Sequence, residues 1–339
     1  MTRVAINGLG RIGRAALKII LDTPALELVA ANDIYSPQDI VYLLRYDTVY
    51  GRYNRPVSYD GKHLLLGDHP IQLLNEKDPR QLPWKDMNVD IVFECTGVFT
   101  RKEDLEKHIL AGAQYVILSA PAKGEDVPTV VHGVNTVDGD AHIIACASCT
   151  TNCITPVIEI IGRRIGIKKA LMTTVHAYTA SQSIVDTTNK RPERGQAGAA
   201  NFVPTSTGAA IATTKALPQY AGLFDGIAVR GPVPVGSLAD IVVLTSRPTS
   251  VEEVNRIFEQ EVQGDRYRGI VGVTNDPIVS SDVIGDARAS IIDLRMTRVV
   301  DGDLVMILSW YDNEWGFSNQ MVNQAIQIAQ ASPAHAYAD

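Results

Sequence analysis

The six residues Gly8-Leu9-Gly10-Arg11-Ile12-Gly13 constrain this chain more than any others. They follow a short apolar run, residues 3–7, and lead into residues 14–21, whose apolar side chains recur at helical spacing. A second apolar run, residues 27–31, ends at Asn32-Asp33. Strand, glycine turn, helix, strand and acid, in that order, describe a βαβ unit that holds a dinucleotide. Each glycine has its own task there. Gly8 permits the tight turn, Gly10 lets the backbone approach a pyrophosphate, and Gly13 lets helix and strand pack closely. The free N–H groups and the dipole at the helix start attract the phosphates. Asp33, twenty residues past Gly13, would accept hydrogen bonds from an adenosine ribose and repel a 2′-phosphate, which favours NAD over NADP.

The alternation continues along the first half. Residues 89–93 read as a strand, 101–111 as a helix and 115–119 as a strand, which predicts a parallel α/β sheet. The expected fold is therefore α/β, with an N-terminal Rossmann domain for NAD over residues 1–148. After residue 150 the pattern changes. Runs at 170–175, 239–245, 291–298 and 304–310 are rich in β-branched residues and lack long helices between them, with a turn at 299–303. These predict a second, α+β domain over 149–314 with a mostly antiparallel sheet, which the resemblance described below makes the catalytic domain. Residues 178–201 read as one long loop. A helical apolar stripe at 315–331 is expected to pack back on the first domain.

A net charge of −7 argues against a dedicated nucleic-acid partner. No stretch offers 18 uninterrupted apolar residues, so no membrane role is expected, and the N-terminus lacks the apolar core of an export signal. The expected location is cytoplasmic. Three of the four cysteines, Cys146, Cys149 and Cys153, are spaced C-x2-C-x3-C, without the second pair that a zinc site needs. No metal is expected. Cys149 stands between the apolar run 142–146 and the helical run 154–165, with Pro156 as a candidate kink. A cysteine at a helix start feels the positive end of the dipole, which lowers its thiol pKa. Buried cysteines at such junctions are just as often plain small hydrophobes. The residues alone leave both readings open.

The stretch Ser148-Cys149-Thr150-Thr151-Asn152-Cys153 resembles the active-site signature of phosphorylating glyceraldehyde-3-phosphate dehydrogenases. The resemblance covers essentially the whole chain. It includes Asn7–Arg14 around the glycine turn, Ser119-Ala120-Pro121, His176-Ala177-Tyr178-Thr179, Thr205-Ser206-Thr207-Gly208 and Tyr311-Asp312-Asn313-Glu314. It implies that Cys149 is the nucleophile, forming a thiohemiacetal and then a thioester, and that His176 is the base. It implies that Thr179 and Arg230 hold the phosphate of glyceraldehyde 3-phosphate. Ser148, Thr150, Thr207 and Gly208 would line the inorganic phosphate site, with Arg194 near both. Asn7, Gly8, Gly10, Arg11, Ile12, Gly13, Asp33, Thr96, Gly97 and Ser119 would contact the dinucleotide. Asn313 would fix the nicotinamide carboxamide. A homotetramer is implied, in which residues 178–201 lie against a neighbour's cofactor.

Some positions depart from the family pattern. Thr187-Thr188 stands where many NAD-specific members have Leu-Pro, which leaves NADP as a second cofactor. Ala180, Ser183, Gln196, Phe317 and Cys146 are also atypical. None removes a residue assigned a chemical step. Two alternatives carry different expectations: an erythrose-4-phosphate dehydrogenase, which would lose the Thr207-Gly208 pair, and an idle binding member, which would lose Cys149 or His176.

Overall fold

The computed structural model of the chain describes residues 1–136 and 141–331. Within them, two compact units are distinguished. The first takes Met1–Val130, Thr136–Ala147 and the chain from Met321 onward; the second takes Val131–Asn135 and Ser148–Gln320.

In the first unit, the buried N-terminal run forms β1 (Thr2–Asn7), and the glycine turn leads into α1 (Arg11–Leu21) and β2 (Leu26–Asn32). Then come α2 (Pro37–Arg45), a small hairpin of β3 (Tyr46–Asp47) and β4 (Gly51–Arg52), and β5 (Val57–Tyr59), β6 (His63–Leu66) and β7 (His69–Leu74). After β8 (Ile91–Glu94), α3 (Lys102–Leu110), β9 (Tyr115–Leu118) and β10 (Ile143–Ala145) complete the unit's sheet. The strand order is β10-β9-β8-β1-β2-β7-β6-β5. From β10 to β7 every neighbour is parallel, as the alternation predicts. The antiparallel extension β6–β5 was not legible in the sequence. The order runs outward from β1 in both directions, so a crevice opens beyond its carboxyl end, where doubly wound sheets bind ligands. Leu105 of α3 packs with Val116, Leu118 and Ala145, closing one part of the core.

The second unit opens with α4 (Cys149–Arg164) and β11 (Ile167–Ala177). It continues through β12 (Val203–Ser206), α5 (Ala209–Ala216), β13 (Phe224–Gly231), β14 (Ser237–Thr245), α6 (Val251–Glu261), β15 (Val271–Thr274), β16 (Ser290–Asp293), β17 (Arg298–Val300), β18 (Leu304–Tyr311) and the start of α7 (Trp315–Ala331). The sheet order is β12-β13-β11-β14-β18-β16-β15, with β17 on β18. Among the described residues five of its seven pairings are antiparallel, and β11–β13 and β15–β16 are parallel. The expected continuous strand 291–298 is instead two strands broken by a 3-10 turn at Leu294–Met296, capped by the Asp293 side chain. The β17–β18 turn is Asp301-Gly302, both at positive φ (49° and 76°), the signature of a tight hairpin. Helix α4 runs unbroken through Pro156. Its Ile154, Val157, Ile158 and Ile161 bury against Ile241, Val243, Val305 and Ile307, each worth roughly 2 kcal/mol relative to exposure.

Candidate active site

The reactive cluster is assembled at one end of the second unit's sheet. Strands β11 and β13 are parallel, and their register sets His176 directly beside Arg230. Arg230 therefore lies within β13, one residue from its end. The neighbouring β14 starts at Ser237, opposite Tyr311 at the end of β18. Cys149 is the first residue of α4. Its approach is sharply turned, because Ala147 sits at φ 57°, a left-handed conformation costly for alanine. Ser148 caps the helix by accepting a hydrogen bond from the Thr151 N–H at 3.1 Å.

This turn aims Cys149 Sγ at His176 Nε2, 3.3 Å away. On the other side of the ring, Nδ1 lies 2.7 Å from the Ala177 carbonyl and 2.7 Å from Arg230 Nη1. Arg230 Nη1 also donates to the Ala177 carbonyl at 3.0 Å. In the tautomer with Nδ1 protonated, Nδ1 donates to the carbonyl and Nε2 presents its lone pair to the thiol. Tyr311 packs edge-on to the His176 ring, with centroids 6.0 Å apart. Its hydroxyl is buried between Thr150 and Thr174, at 2.8 Å from each. No role for Tyr311 or Thr174 was legible in the sequence, since hydroxyls that fill such gaps leave no spacing pattern.

Electrostatics hold the pair neutral. Burial, reinforced by the Arg230 charge, pushes His176 down to about 3. The expectation of a lowered Cys149 pKa is reversed: burial raises it, and outweighs the opposing pull of Arg230 and the hydrogen bonds at the helix start. Cys146 and Cys153 are fully sealed and pushed up to about 12 by burial. Cys153 Sγ hydrogen-bonds Ser309 Oγ at 3.3 Å.

The other expected phosphate contacts come from loops and one helix start. Arg194 Nε donates to Thr205 Oγ1 at 3.2 Å, and burial with the Arg230 charge lowers its pKa. Thr179 Oγ1 meets Ser181 Oγ at 2.9 Å. Thr207 accepts from the Ala209 N–H at 3.2 Å, and Gly208 is the N-cap of α5. Thr150 is buried with its hydroxyl on Tyr311. The Nε of Arg230 is buried without a partner. Asn313 accepts from Ser237 Oγ at 2.9 Å and from the Gly236 N–H at 3.2 Å through Oδ1.

The first unit carries a separate cleft of about 400 Å³ at the carboxyl ends of its central strands. Asn7, Gly8, Gly10, Asp33 and Thr96 line it, as do Tyr35, Lys77, Val98 and Phe99, which no motif announced. The three glycines differ in what surrounds them. Gly8 has φ 95°, and a Cβ there would meet the Thr96 nitrogen at 2.6 Å. A Cβ on Gly13 would lie 1.9 Å from the Gly8 carbonyl oxygen, whereas one on Gly10 would meet nothing within 4 Å. Helix α1 has no side-chain cap and no acidic residue in its first turn, which suits an anion at its start. Ile12 lies half-buried in that turn. Asp33 accepts from the Leu9 N–H at 2.5 Å and from the Tyr35 N–H at 3.0 Å. The Arg11 guanidinium is paired with Asp47 at 2.6 Å and lies over the Tyr50 ring. The Asn7 side chain is consumed by Glu94 and Asn32. Gly97 turns the chain after β8 at φ 69°, and Ser119 follows β9.

Two family models match the chain. The NAD binding domain of glyceraldehyde 3-phosphate dehydrogenase matches residues 2–102, and the C-terminal domain of the same family matches residues 148–313. The glyceraldehyde-3-phosphate dehydrogenase of Streptomyces coelicolor is 46% identical over 330 residues, 96% of this chain and 98% of the relative. The glyceraldehyde-3-phosphate dehydrogenase 2 of Streptomyces avermitilis is 45% identical over the same span. That of Haloarcula vallismortis is 44% identical over 97% of this chain and 98% of its own length.

Proposed function

Because the chain belongs to the glyceraldehyde-3-phosphate dehydrogenase family, we propose that the Cys149–His176 pair carries the family's reaction, converting D-glyceraldehyde 3-phosphate to 1,3-bisphosphoglycerate with reduction of NAD. The observation that carries this assignment is the 3.3 Å contact between Cys149 Sγ and His176 Nε2, with Arg230 against the same ring. Residues 1–148 hold the cofactor and residues 149–314 perform the chemistry.

The cleft fits a dinucleotide. Its open side at Gly10 and uncapped α1 suit a pyrophosphate, and Asp33 suits a ribose diol. Gly8, Gly10, Arg11, Ile12 and Gly13 would offer backbone, with Thr96, Gly97 and Ser119 at the neighbouring strand ends. Asn7 would act through its hold on the turn, and Asn313 through its amide. Bound NAD supplies the acceptor for a hydride. His176 Nε2 takes the thiol proton as Sγ attacks the aldehyde carbon, and returns it to the new alkoxide. It then takes the hydroxyl proton as the thiohemiacetal is oxidised to a thioester. Inorganic phosphate attacks the thioester carbon, the C–S bond breaks, and the acyl phosphate leaves with Cys149 restored. Arg230 and Thr179 bind the substrate phosphate. Arg194, Ser148, Thr150, Thr207 and Gly208 serve the attacking one.

NAD is the cofactor, and Thr187-Thr188 supports some use of NADP. A homotetramer is supported by the sheet face opposite α4, where Leu171, Val175 and Ile227 are exposed. Among the described residues no helix is long and apolar enough to cross a membrane. The four free cysteines support a reduced, cytoplasmic setting. The decisive assay follows NADH appearance with glyceraldehyde 3-phosphate and NAD, with and without inorganic phosphate. A fast, phosphate-dependent rate is expected. A faster rate with erythrose 4-phosphate would move the chain to that activity, and no turnover from folded protein would refute the assignment.

A further inference from the structure

Beneath the dinucleotide cleft lies a polar chain that the mechanism does not use. Glu94, the last residue of β8, is fully buried. Four donors converge on its carboxylate. Its Oε1 accepts from the Thr96 N–H at 2.7 Å and from the Thr96 hydroxyl. Its Oε2 accepts from Asn7 Nδ2 at 2.6 Å and lies 3.1 Å from His108 Nε2. The histidine's role is settled by its other nitrogen. Trp84 Nε1 donates to His108 Nδ1 at 3.0 Å, so Nδ1 carries the lone pair and Nε2 the hydrogen. Trp84 and His108 are themselves fully buried.

The chain does not stop at Glu94. Asn7 Oδ1 accepts from Asn32 Nδ2 at 2.7 Å, and Asn32 exchanges two further bonds with the Glu76 backbone, at 2.8 and 2.9 Å. One network thus ties together the carboxyl ends of β8, β1 and β2 and the segment after β7. Asn7, Asn32, Glu76 and Thr96 all line the cleft; Glu94 and His108 do not. The carboxylate therefore holds the cleft's floor from below while staying out of reach of anything bound there. A buried network in which every donor is matched fixes one geometry, and a partly matched one does not.

We propose that Glu94 is a positioning residue for the dinucleotide, its buried carboxylate locking the ends of β1 and β8 into the conformation that accepts the cofactor. This rests on the reading of the cleft as the NAD site. Glutamine has nearly the same shape but turns one acceptor oxygen into an NH2 group, which would face donors that have nowhere else to go.

The test is NAD affinity of the full-length chain, measured by calorimetry with NAD itself. For Glu94→Gln we expect a dissociation constant raised at least tenfold, a similar rise in KM for NAD, and kcat at saturating NAD within threefold of the parent. Alkylation of Cys149 without NAD should proceed at the parental rate. His108→Leu removes one donor from a residue outside the cleft and should weaken NAD in the same direction; His108→Gln, which keeps an N–H for Glu94, should restore most of the affinity. If Glu94→Gln fails to fold, the two His108 variants decide alone. Unchanged NAD affinity in the folded variants, with only a lowered melting temperature, would overturn the proposal and leave Glu94 a structural residue. If the parent chain bound no NAD, the cleft assignment would fall first, whatever the variants did.

Discussion

Cys149→Ser should abolish NADH formation and leave the fold and NAD binding intact, because serine fills the same helix start without a thiolate. Near-normal turnover would remove Cys149 from the mechanism. His176 leaves a mark on stability as well as on rate. Its folded value of about 3 against an ordinary 6.5 means that the unfolded chain binds a proton the folded chain excludes. The stability this group contributes is complete above 6.5 and falls as pH drops toward 3, by up to ~1.4 kcal/mol per pH unit. Urea unfolding of His176→Asn should therefore show a shallower acid limb, and an identical slope would mean the ring is not shielded from protons. Asp33→Ala should narrow the preference for NAD over NADP, read as the ratio of kcat/KM values. At this scale the sequence was only partly legible. Asp33 declares itself by its distance from the glycines. Cys149 and His176 are 27 residues apart, and only family resemblance joined them, since their contact depends on how β11 ends beside α4. Glu94 was invisible, because a buried acid at a strand end has no periodicity to betray it.

The glycine turn separates two roles that the motif lists together. Gly13→Ala would force a methyl group into the Gly8 carbonyl and should cost about 3 kcal/mol or prevent folding. Gly10→Ala has room, so its melting temperature should stay near the parent value while NAD affinity drops. Equal losses of stability in both would contradict the geometry. The βαβ elements were legible because strand period, glycine and helix period agree in one short segment. Elsewhere tertiary context decided. Residues 291–298 read as a single β-rich run, yet the Asp293 side chain caps a 3-10 turn that splits it. Helix α4 tolerates Pro156 because its neighbours are almost wholly buried, so packing outweighs the lost hydrogen bond.

Across the whole molecule, the alternation of elements foretold two kinds of sheet. What it could not foretell was which sheet face stays uncovered. Leu171 and Ile227 are 64% and 53% exposed on neighbouring strands, and Asp240 on the adjoining β14 is raised by burial with one oxygen unpaired. Replacing Leu171 and Ile227 together by glutamate should lower the particle mass in sedimentation; an unchanged mass would show that assembly uses another surface. The cysteines lead to a different kind of measurement. Three of the four are buried, and only Cys149 is partly open. A thiol-reactive dye added to the native protein should stop at one label per chain, and the other three sulfurs should react only after denaturation. The label count would then report the fraction of competent active sites in any preparation, so that a turnover number could be referred to working sites in place of total protein.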